Sequence, residues 1–253
     1  MAILCYHAVE PGWGSSVSVR PEAFEQHCAW LSRQRQVLPL ERAVSRLRRS
    51  GSLPWGETAL TFDDGFASVH EQAFPILMRY RLPATVFVVA ATLAPGGRVV
   101  DWVDEPVPAP LRTLTLDQVL EMQSAGIEFG SHSYRHHDLT TLGPTQCEQD
   151  LRHSRELLED LLQQRIRFLA YPRGRHNETV RRAAERAGYT YAFTLPEGPE
   201  PLGPMAVPRV GMWGGNGVGM LRFKATTLYL RLRMSPLSTM QLGLRAHLAA
   251  WLA

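Results

Sequence analysis

The chain has 253 residues, of which 45% are hydrophobic and 20% are charged, and its formal net charge is +3. This composition is typical of a folded globular protein, and the length suits one large α/β domain. The three cysteines are widely spaced, which argues against a disulfide framework and against a thiolate metal site. No block of like charges is present, so we do not expect nucleic acid as a partner.

The beginning of the chain lacks the features of a secretory signal. It has no basic region, and its apolar run, residues 2–6, is too short. No uncharged apolar segment approaches the roughly 18–20 residues that a membrane-spanning helix needs. From these features we expect a cytoplasmic protein with reduced cysteines.

The hydrophobic pattern predicts strands and helices that alternate along the chain. The predicted strands cover residues 2–6, 37–40, 59–62, 84–91, 127–130, 166–171, 191–195 and 207–212. The predicted helices cover residues 21–34, 40–49, 66–79, 115–125, 145–164 and 177–187. The repeated order of strand then helix predicts a mostly parallel sheet, either open or closed into a barrel.

Two segments do not fit this alternation. Residues 93–114 form a long loop rich in Pro and Gly, and a loop of that length is often a lid. The tail from residue 221 is amphipathic and partly basic. It is predicted either to pack on the barrel as a helix or to contact a membrane surface, helped by Trp251.

The pair Asp63-Asp64 is the first candidate functional feature. It follows the short apolar run 59–62 and precedes Gly65, which predicts a buried strand that ends in a tight turn. Adjacent carboxylates raise each other's pKa, so something must compensate them. A metal ion bound by one of them would do so, and the other would be left to act as a base.

A pair of histidines is the natural source of further ligands. His132 and His136 follow another predicted strand with a spacing that lets both imidazoles reach one ion. Ser133 stands where a metalloprotease of the His-Glu-x-x-His type has its glutamate, so that class is excluded. Two histidines and one carboxylate favour a divalent metal with open positions for water and substrate.

These residues resemble a known family. The run Thr61-Phe62-Asp63-Asp64-Gly65 followed by His132-Ser133-x-x-His136 is similar to the first two motifs of the NodB-type polysaccharide deacetylases, carbohydrate esterase family 4. Residues 4–7 and 169–174 resemble the first strand and the third motif, in the form found in the exopolysaccharide and biofilm branch. The resemblance implies an α/β fold, a single deformed (β/α)7 barrel. We place the barrel at residues 1–215 and a C-terminal amphipathic extension at 216–253.

The resemblance also implies the roles of individual residues. Asp63 would be the general base, and Asp64, His132 and His136 would bind the metal, most often zinc, with cobalt, nickel or manganese as alternatives. The metal would polarise the acetamide carbonyl and hold the attacking water. A backbone N–H near Arg173 would stabilise the oxyanion. Tyr171 and Pro172 of the third motif would contact the substrate.

This chain departs from the family pattern at two places. Ala170 stands where many members have an arginine that hydrogen-bonds the catalytic aspartate, and Arg173 is the candidate to supply that positive charge. The general-acid histidine of the fifth motif has no counterpart between His176 and His247. His7, at the end of the first strand, is a candidate to contribute. Trp102 and Trp213 are candidates for stacking on a sugar ring.

The expected function is hydrolysis of an N-acetyl group from an amino sugar, in a glycan or in a lipid-linked or nucleotide-linked precursor. A first alternative is an amidohydrolase acting on a different amide, of the deformylase or cyclic-amide type. A second alternative is a degenerate, non-catalytic glycan-binding partner, which the missing arginine and acid histidine suggest.

Overall fold

The computed structural model describes residues 2–51, 54–105, 111–236 and 238. Its strands are Ile3–Tyr6 (β1), Ala8–Val9 (β2), Ser18–Val19 (β3), Gln36–Val37 (β4), Glu57–Phe62 (β5), Thr85–Val88 (β6), Glu128–Ser131 (β7), Phe168–Ala170 (β8), Tyr191–Thr194 (β9) and Val207–Gly211 (β10). Its α-helices are Pro21–Gln34 (α1), Leu40–Ser50 (α2), Phe74–Tyr80 (α3), Leu116–Ser124 (α4), Pro144–Leu162 (α5), Glu178–Arg186 (α6), Val218–Lys224 (α7) and Thr227–Arg233 (α8).

Seven parallel strands close into a barrel. The order is β1, β10, β9, β8, β7, β6 and β5, and β5 pairs in turn with β1. The short strand β4 pairs with the beginning of β5, and β2 and β3 form a separate two-stranded sheet. The predicted (β/α)7 barrel is therefore confirmed. Because all seven strands run in parallel, their C-terminal ends meet at one rim, where such folds place their sites.

Alternate residues of each strand face opposite sides of the barrel wall, since side chains on a strand alternate with a period of two. Ile3, Ala59 and Val207 belong to one buried cluster with the phenylalanines of the neighbouring strands. Leu4 and Leu60 belong to a second cluster, which they share with the helices outside the barrel. The first set therefore fills the interior, and the second set anchors the helices.

The inward-facing series becomes polar toward the rim. Cys5 follows Ile3 on the same side of β1, Thr61 follows Ala59 on β5, and Arg209 follows Val207 on β10. The register pairs Cys5 with Thr61 and Ile3 with Arg209, so the polar side chains belong to adjoining layers. A buried polar layer of this kind has to be satisfied by partners within the barrel.

The predicted helix 66–79 is the main local difference. A π-helical turn, Val69–Ala73, precedes the shorter helix α3. Pro75 stands in the first turn of α3, where its missing N–H costs no helical hydrogen bond. The π turn uses a longer hydrogen-bond step, which lets the chain enter α3 at that proline.

The described part of the predicted C-terminal extension contacts the barrel. Leu221 of α7 is fully buried, and Lys224 donates hydrogen bonds to the carbonyl of Gly211 at 2.7 Å and to Asn216 Oδ1 at 2.6 Å. None of the helices among the described residues is long and apolar enough to span a bilayer. Residues 239–253, with His247 and Trp251, lie outside the described residues, so the boundary between 215 and 216 stays a prediction.

Candidate active site

The predicted metal ligands lie together at the barrel rim. Asp64 follows β5, and His132 and His136 follow β7. The distances from Asp64 Oδ1 to His132 Nε2 and His136 Nε2 are 3.5 and 3.2 Å, and one donor atom from each of the three residues lies within 4.8 Å of the others. Asp64 and His136 have positive φ values of 69° and 58°, so the turns that aim these side chains carry a backbone cost that is tolerated where function requires it.

The chemistry of these three donors fits a divalent cation. His132 Nδ1 donates a hydrogen bond to the carbonyl of Ala170 at 2.8 Å, which leaves Nε2 as the nitrogen that faces Asp64. Burial alone would raise the pKa of Asp64, but the two histidines hold it well below its ordinary value. The group thus offers an ionised carboxylate and two imidazole nitrogens, a donor set that suits zinc and similar transition metals.

Trp102 supports this group from the loop 93–105. Its Nε1–H donates to Asp64 Oδ1 at 3.1 Å, and its ring stacks on His136 with 5.0 Å between ring centroids. The side chain is buried, and Arg98 also lies over the ring. Trp102 also lines the active-site pocket, so its role in stacking on a sugar stays a prediction beside the contact with His136 that the structure shows.

Asp63 is held by an arginine that sequence analysis missed. Arg209 donates to both oxygens of Asp63 at 2.7 Å and to Thr61 Oγ1 at 3.1 Å. Both members of this pair are almost completely buried. Burial would raise the pKa of Asp63, but the charges of Arg209 and then His132 bring it down to about 2. Asp63 is therefore ionised at neutral pH.

One signal in the sequence pointed to Arg209. It lies in an apolar predicted strand, and a charged side chain inside a strand of a closed barrel needs a buried partner of opposite charge. Arg173, which we expected to supply the charge, contacts Asp104 at 2.5 Å and the carbonyl of Trp102 at 3.1 Å instead. That expectation is corrected: Arg173 connects the third-motif turn to the loop that carries Trp102.

Two further side chains lie beside Asp63, Cys5 in β1 and His7 just after it. Cys5 Sγ is 3.4 Å from Asp63 Oδ2, and burial raises the pKa of this thiol well above its ordinary value, so Cys5 acts as a neutral donor. His7 has a ring nitrogen within 4.8 Å of a carboxylate oxygen of Asp63. Its Nδ1 is buried without a hydrogen-bond partner among the described residues, and burial lowers its pKa. Its ring stacks on Trp213 at 5.3 Å.

Tyr171 and Pro172 of the third motif do not line the pocket as predicted. Tyr171 is fully buried and donates its hydroxyl to the carbonyl of Met205 at 3.0 Å, and Pro172 is buried beside it. The prediction that these two bind substrate is corrected, because both point into the protein. Their turn contributes the carbonyl of Ala170 that orients His132.

A pocket of about 280 Å³ opens over this group. Its lining includes the three metal-ligand candidates together with His7, Arg173, Arg209 and Trp213. Asp63 is 1% exposed and lies behind this lining, against Arg209 and within reach of His7. Trp213 is half-buried at the pocket wall, so its prediction as a sugar-stacking residue stays open.

The comparison with protein families agrees with this geometry. The family model described as "Polysaccharide deacetylase" matches residues 51–192, which is more than half of the chain. The chain therefore belongs to the polysaccharide deacetylase family. The match includes Asp63, Asp64, His132 and His136, whereas His7 and Arg209 lie outside it.

Individual relatives are similar over most of the barrel. The chain is 29% identical to YxkH of Bacillus subtilis over 199 residues, which is 78% of this chain and 65% of that protein. It is 26% identical to a poly-beta-1,6-N-acetyl-D-glucosamine N-deacetylase of Staphylococcus aureus over 71% of this chain and 62% of that one. The chain thus spans less than two thirds of the length of these two relatives.

A solved structure shows the same fold. The deacetylase PplD of Streptococcus pyogenes, in complex with acetate, superposes with a TM-score of 0.75 at 27% identity. The match covers 89% of this chain and 98% of that one.

Proposed function

We propose that this protein removes the N-acetyl group from an amino sugar in a glycan or a glycan precursor, and that it uses a divalent metal, preferentially zinc. The observation that carries this proposal is the meeting of two groups at one barrel rim. Asp64, His132 and His136 bring three donor atoms together in a group that could hold a metal ion, and beside it Asp63 is a buried, ionised carboxylate fixed by Arg209. Membership of the polysaccharide deacetylase family and the S. aureus relative support an N-acetylated glycan as the substrate.

The metal would be held by Asp64, His132 and His136. When bound, it supplies a Lewis acid that polarises the amide carbonyl of the substrate. Trp102 Nε1 and the Ala170 carbonyl fix the orientation of two of these ligands. Such supporting contacts raise the affinity for the metal because they leave the ligands little freedom to turn away.

Asp63 is proposed as the general base. Hydrolysis requires that a water molecule lose a proton as its oxygen bonds to the acyl carbon. Asp63 remains ionised at neutral pH, and its two hydrogen bonds to Arg209 fix its orientation. The carboxylate retains lone pairs beyond those that Arg209 uses, so it can still accept the proton.

His7 is proposed to deliver a proton to the leaving nitrogen. When the C–N bond breaks, the amine must gain a proton, and acetate and the free amino sugar are released. His7 lines the pocket, has a free ring nitrogen and lies within one water molecule's reach of Asp63. A proton taken up by Asp63 could therefore pass to His7 and then to the amine. The backbone N–H of Arg173 remains the proposed donor to the oxyanion.

Of the two alternatives, the non-catalytic one loses much of its support. It depended partly on the arginine missing at position 170, and Arg209 supplies that contact from β10. The other alternative, hydrolysis of a different amide, is distinguished from the proposed function by the substrate assay described next.

The test is amine release by the full chain after chelation and reloading with zinc, cobalt, nickel or manganese. We expect oligomers of β-1,6-linked N-acetylglucosamine to yield free amine and acetate in equal amounts, with activity lost in chelator and restored by metal. Asp160→Asn, which changes an exposed carboxylate of α5, is the control for the substitutions of the site. Turnover of formamides or cyclic amides but not of N-acetylated sugars would contradict the proposal. Tight glycan binding without turnover in any metal would also contradict it.

A further inference from the structure

The two parts of this chain differ sharply in charge. Residues 201–253 contain six lysines and arginines and no aspartate or glutamate, which gives a formal charge of +6. Residues 1–200 contain 21 cationic and 24 acidic residues, which gives −3. The small net charge of the whole chain therefore conceals a C-terminal part without a single side-chain carboxylate.

The helices α7 and α8 of this part expose an unusual amount of apolar surface. Among the described residues, nine large apolar side chains are exposed, and four of them lie within 13 consecutive positions. These four are Met220 and Phe223 of α7 and Leu228 and Leu232 of α8, which are 41–59% exposed. Phe223 also contacts the ring of Tyr229, which joins the two helices.

Exposed cations lie on the same two helices. Arg222 and Arg231 are exposed, and Arg233 is half-buried. Arg209 is buried in the barrel and Lys224 is buried against Gly211 and Asn216, so they do not contribute to this surface. We define the α7–α8 face as the exposed residues Met220, Arg222, Phe223, Leu228, Arg231 and Leu232.

We propose that the α7–α8 face docks onto an anionic lipid bilayer. Apolar side chains on neighbouring helices can enter the boundary between headgroups and acyl chains, and arginines beside them attract anionic headgroups. The absence of carboxylates from residue 201 onward means that no side chain of this part repels such headgroups. A nucleic acid would be attracted by the same arginines, but it offers no apolar phase for the exposed Leu228 and Leu232 of α8.

The position of this face bears on the substrate. Tyr229 and Arg233 of α8 also line the active-site pocket. Docking would therefore bring the pocket close to the bilayer, where it could receive an amino sugar carried on a lipid. This consequence for the substrate rests on the proposed function, whereas the docking itself does not.

The test is cosedimentation of the full chain with vesicles. One set contains phosphatidylcholine alone, and the other contains equal parts of phosphatidylcholine and phosphatidylglycerol. We expect binding to the anionic vesicles that weakens with added salt. The double variant Arg222→Gln/Arg231→Gln should bind about 25-fold more weakly, which is about fivefold for each cation. The double variant Leu228→Glu/Leu232→Glu should bind the anionic vesicles at least about tenfold more weakly.

Leu120→Glu is the matched control, because Leu120 is 40% exposed on α4, far along the chain from this face. It should bind anionic vesicles as the unmodified protein does. Thermal unfolding of each variant checks that the fold is retained.

Several results would overturn the proposal. The first is that the unmodified protein does not bind anionic vesicles. The second is that Leu120→Glu weakens binding as much as Leu228→Glu/Leu232→Glu does. The third is that both double variants bind as tightly as the unmodified protein. Loss of binding only in Arg245→Gln/Trp251→Glu would move the contact to the last residues and also contradict it. Binding of duplex DNA that is as tight as vesicle binding, and that falls equally in both double variants, would favour a nucleic acid instead. Because sedimentation requires no turnover, its failure is separate from a failure to deacetylate soluble oligomers.

Discussion

Arg209 and Asp63, 146 positions apart in the chain, meet inside the barrel with two hydrogen bonds of 2.7 Å each. The side-chain exposure of the two residues is 0% and 1%. Burying an isolated carboxylate is costly, and a bidentate guanidinium is the partner that best offsets this cost. The pair therefore fixes the proposed base and compensates its buried negative charge.

Replacing Arg209 should be costly to both stability and activity. We expect Arg209→Met to lower the free energy of unfolding by about 3–5 kcal/mol, because it leaves the Asp63 carboxylate buried without its partner. Turnover should fall as well, since Asp63 loses its orientation. Denaturant unfolding and a deacetylation assay measure the two effects.

The comparison with other variants makes this prediction specific. Arg152→Met removes an exposed pair with Glu148 on α5 and should cost no more than about 0.5 kcal/mol. Asp63→Leu/Arg209→Leu removes both buried charges, so it should be more stable than Arg209→Met while remaining inactive. If the free energy of unfolding of Arg209→Met lies within about 1 kcal/mol of that of the unmodified protein, which is the range expected for exposed ion pairs, the pair is not the buried contact described.

Trp102 should affect the metal rather than the substrate. Trp102→Phe keeps an aromatic ring beside His136 but removes the N–H that reaches Asp64. We expect the affinity for the metal to fall by about 10- to 100-fold, as for other supporting contacts of metal ligands. Trp55→Phe, at a position 82% exposed, is the control and should change nothing. Competition with a metal-binding dye measures the affinity, and an unchanged affinity with a raised KM for the glycan would contradict this prediction and favour the sugar-stacking role.

Lys224 should give the unfolding free energy a distinct pH dependence. Burial lowers the pKa of Lys224 to about 8 from its ordinary 10.5. Between these two values the unfolded chain binds the proton more tightly than the folded chain, so the unfolding free energy contributed by this residue rises with pH. Below a pH of about 8, Lys224 is protonated in both the folded and the unfolded chain, so burying its ammonium lowers the free energy of unfolding by the full amount.

The variant Lys224→Met isolates this effect. The unmodified protein should gain stability relative to Lys224→Met as the pH rises from about 8 to about 10.5, and the difference should be flat below that range. Arg222→Met is the control, because an arginine does not titrate in this range. A difference that stays constant or decreases across the window would show that Lys224 is not buried against Gly211 and Asn216.

The parallel strands, and the meeting of Asp64 with His132 and His136, were predictable because the apolar runs and the polar residues that follow them are local features of the sequence, while the closed barrel was implied by the family resemblance. Apolar runs ending in polar residues identified the strands before Asp63 and His132, and parallel strands bring such ends to one rim. The positions of site residues were thus predictable where the residue comes shortly after the last residue of a strand.

Contacts that depend on the register between distant strands were not predictable in the same way. Arg209 reaches Asp63 because β1 lies between β10 and β5 and sets their relative positions. A shift of one residue would have turned Arg209 outward. The contacts of Tyr171 and Trp102 were not predictable for a related reason, since the direction of a side chain in a turn or a loop depends on its tertiary partners. Tyr171 finds the carbonyl of Met205, and Trp102 finds Asp64.

The measurement that tests the central claim most directly is the metal content of Asp63→Asn and Asp64→Asn, determined together with amine release from N-acetylglucosamine oligomers. The proposed division of roles predicts that Asp63→Asn keeps one equivalent of metal but loses turnover. It predicts that Asp64→Asn loses both metal and turnover, because Asp64, unlike Asp63, lies in one group of donor atoms with His132 and His136. Substantial turnover by Asp63→Asn, or full metal content in Asp64→Asn, would contradict the account.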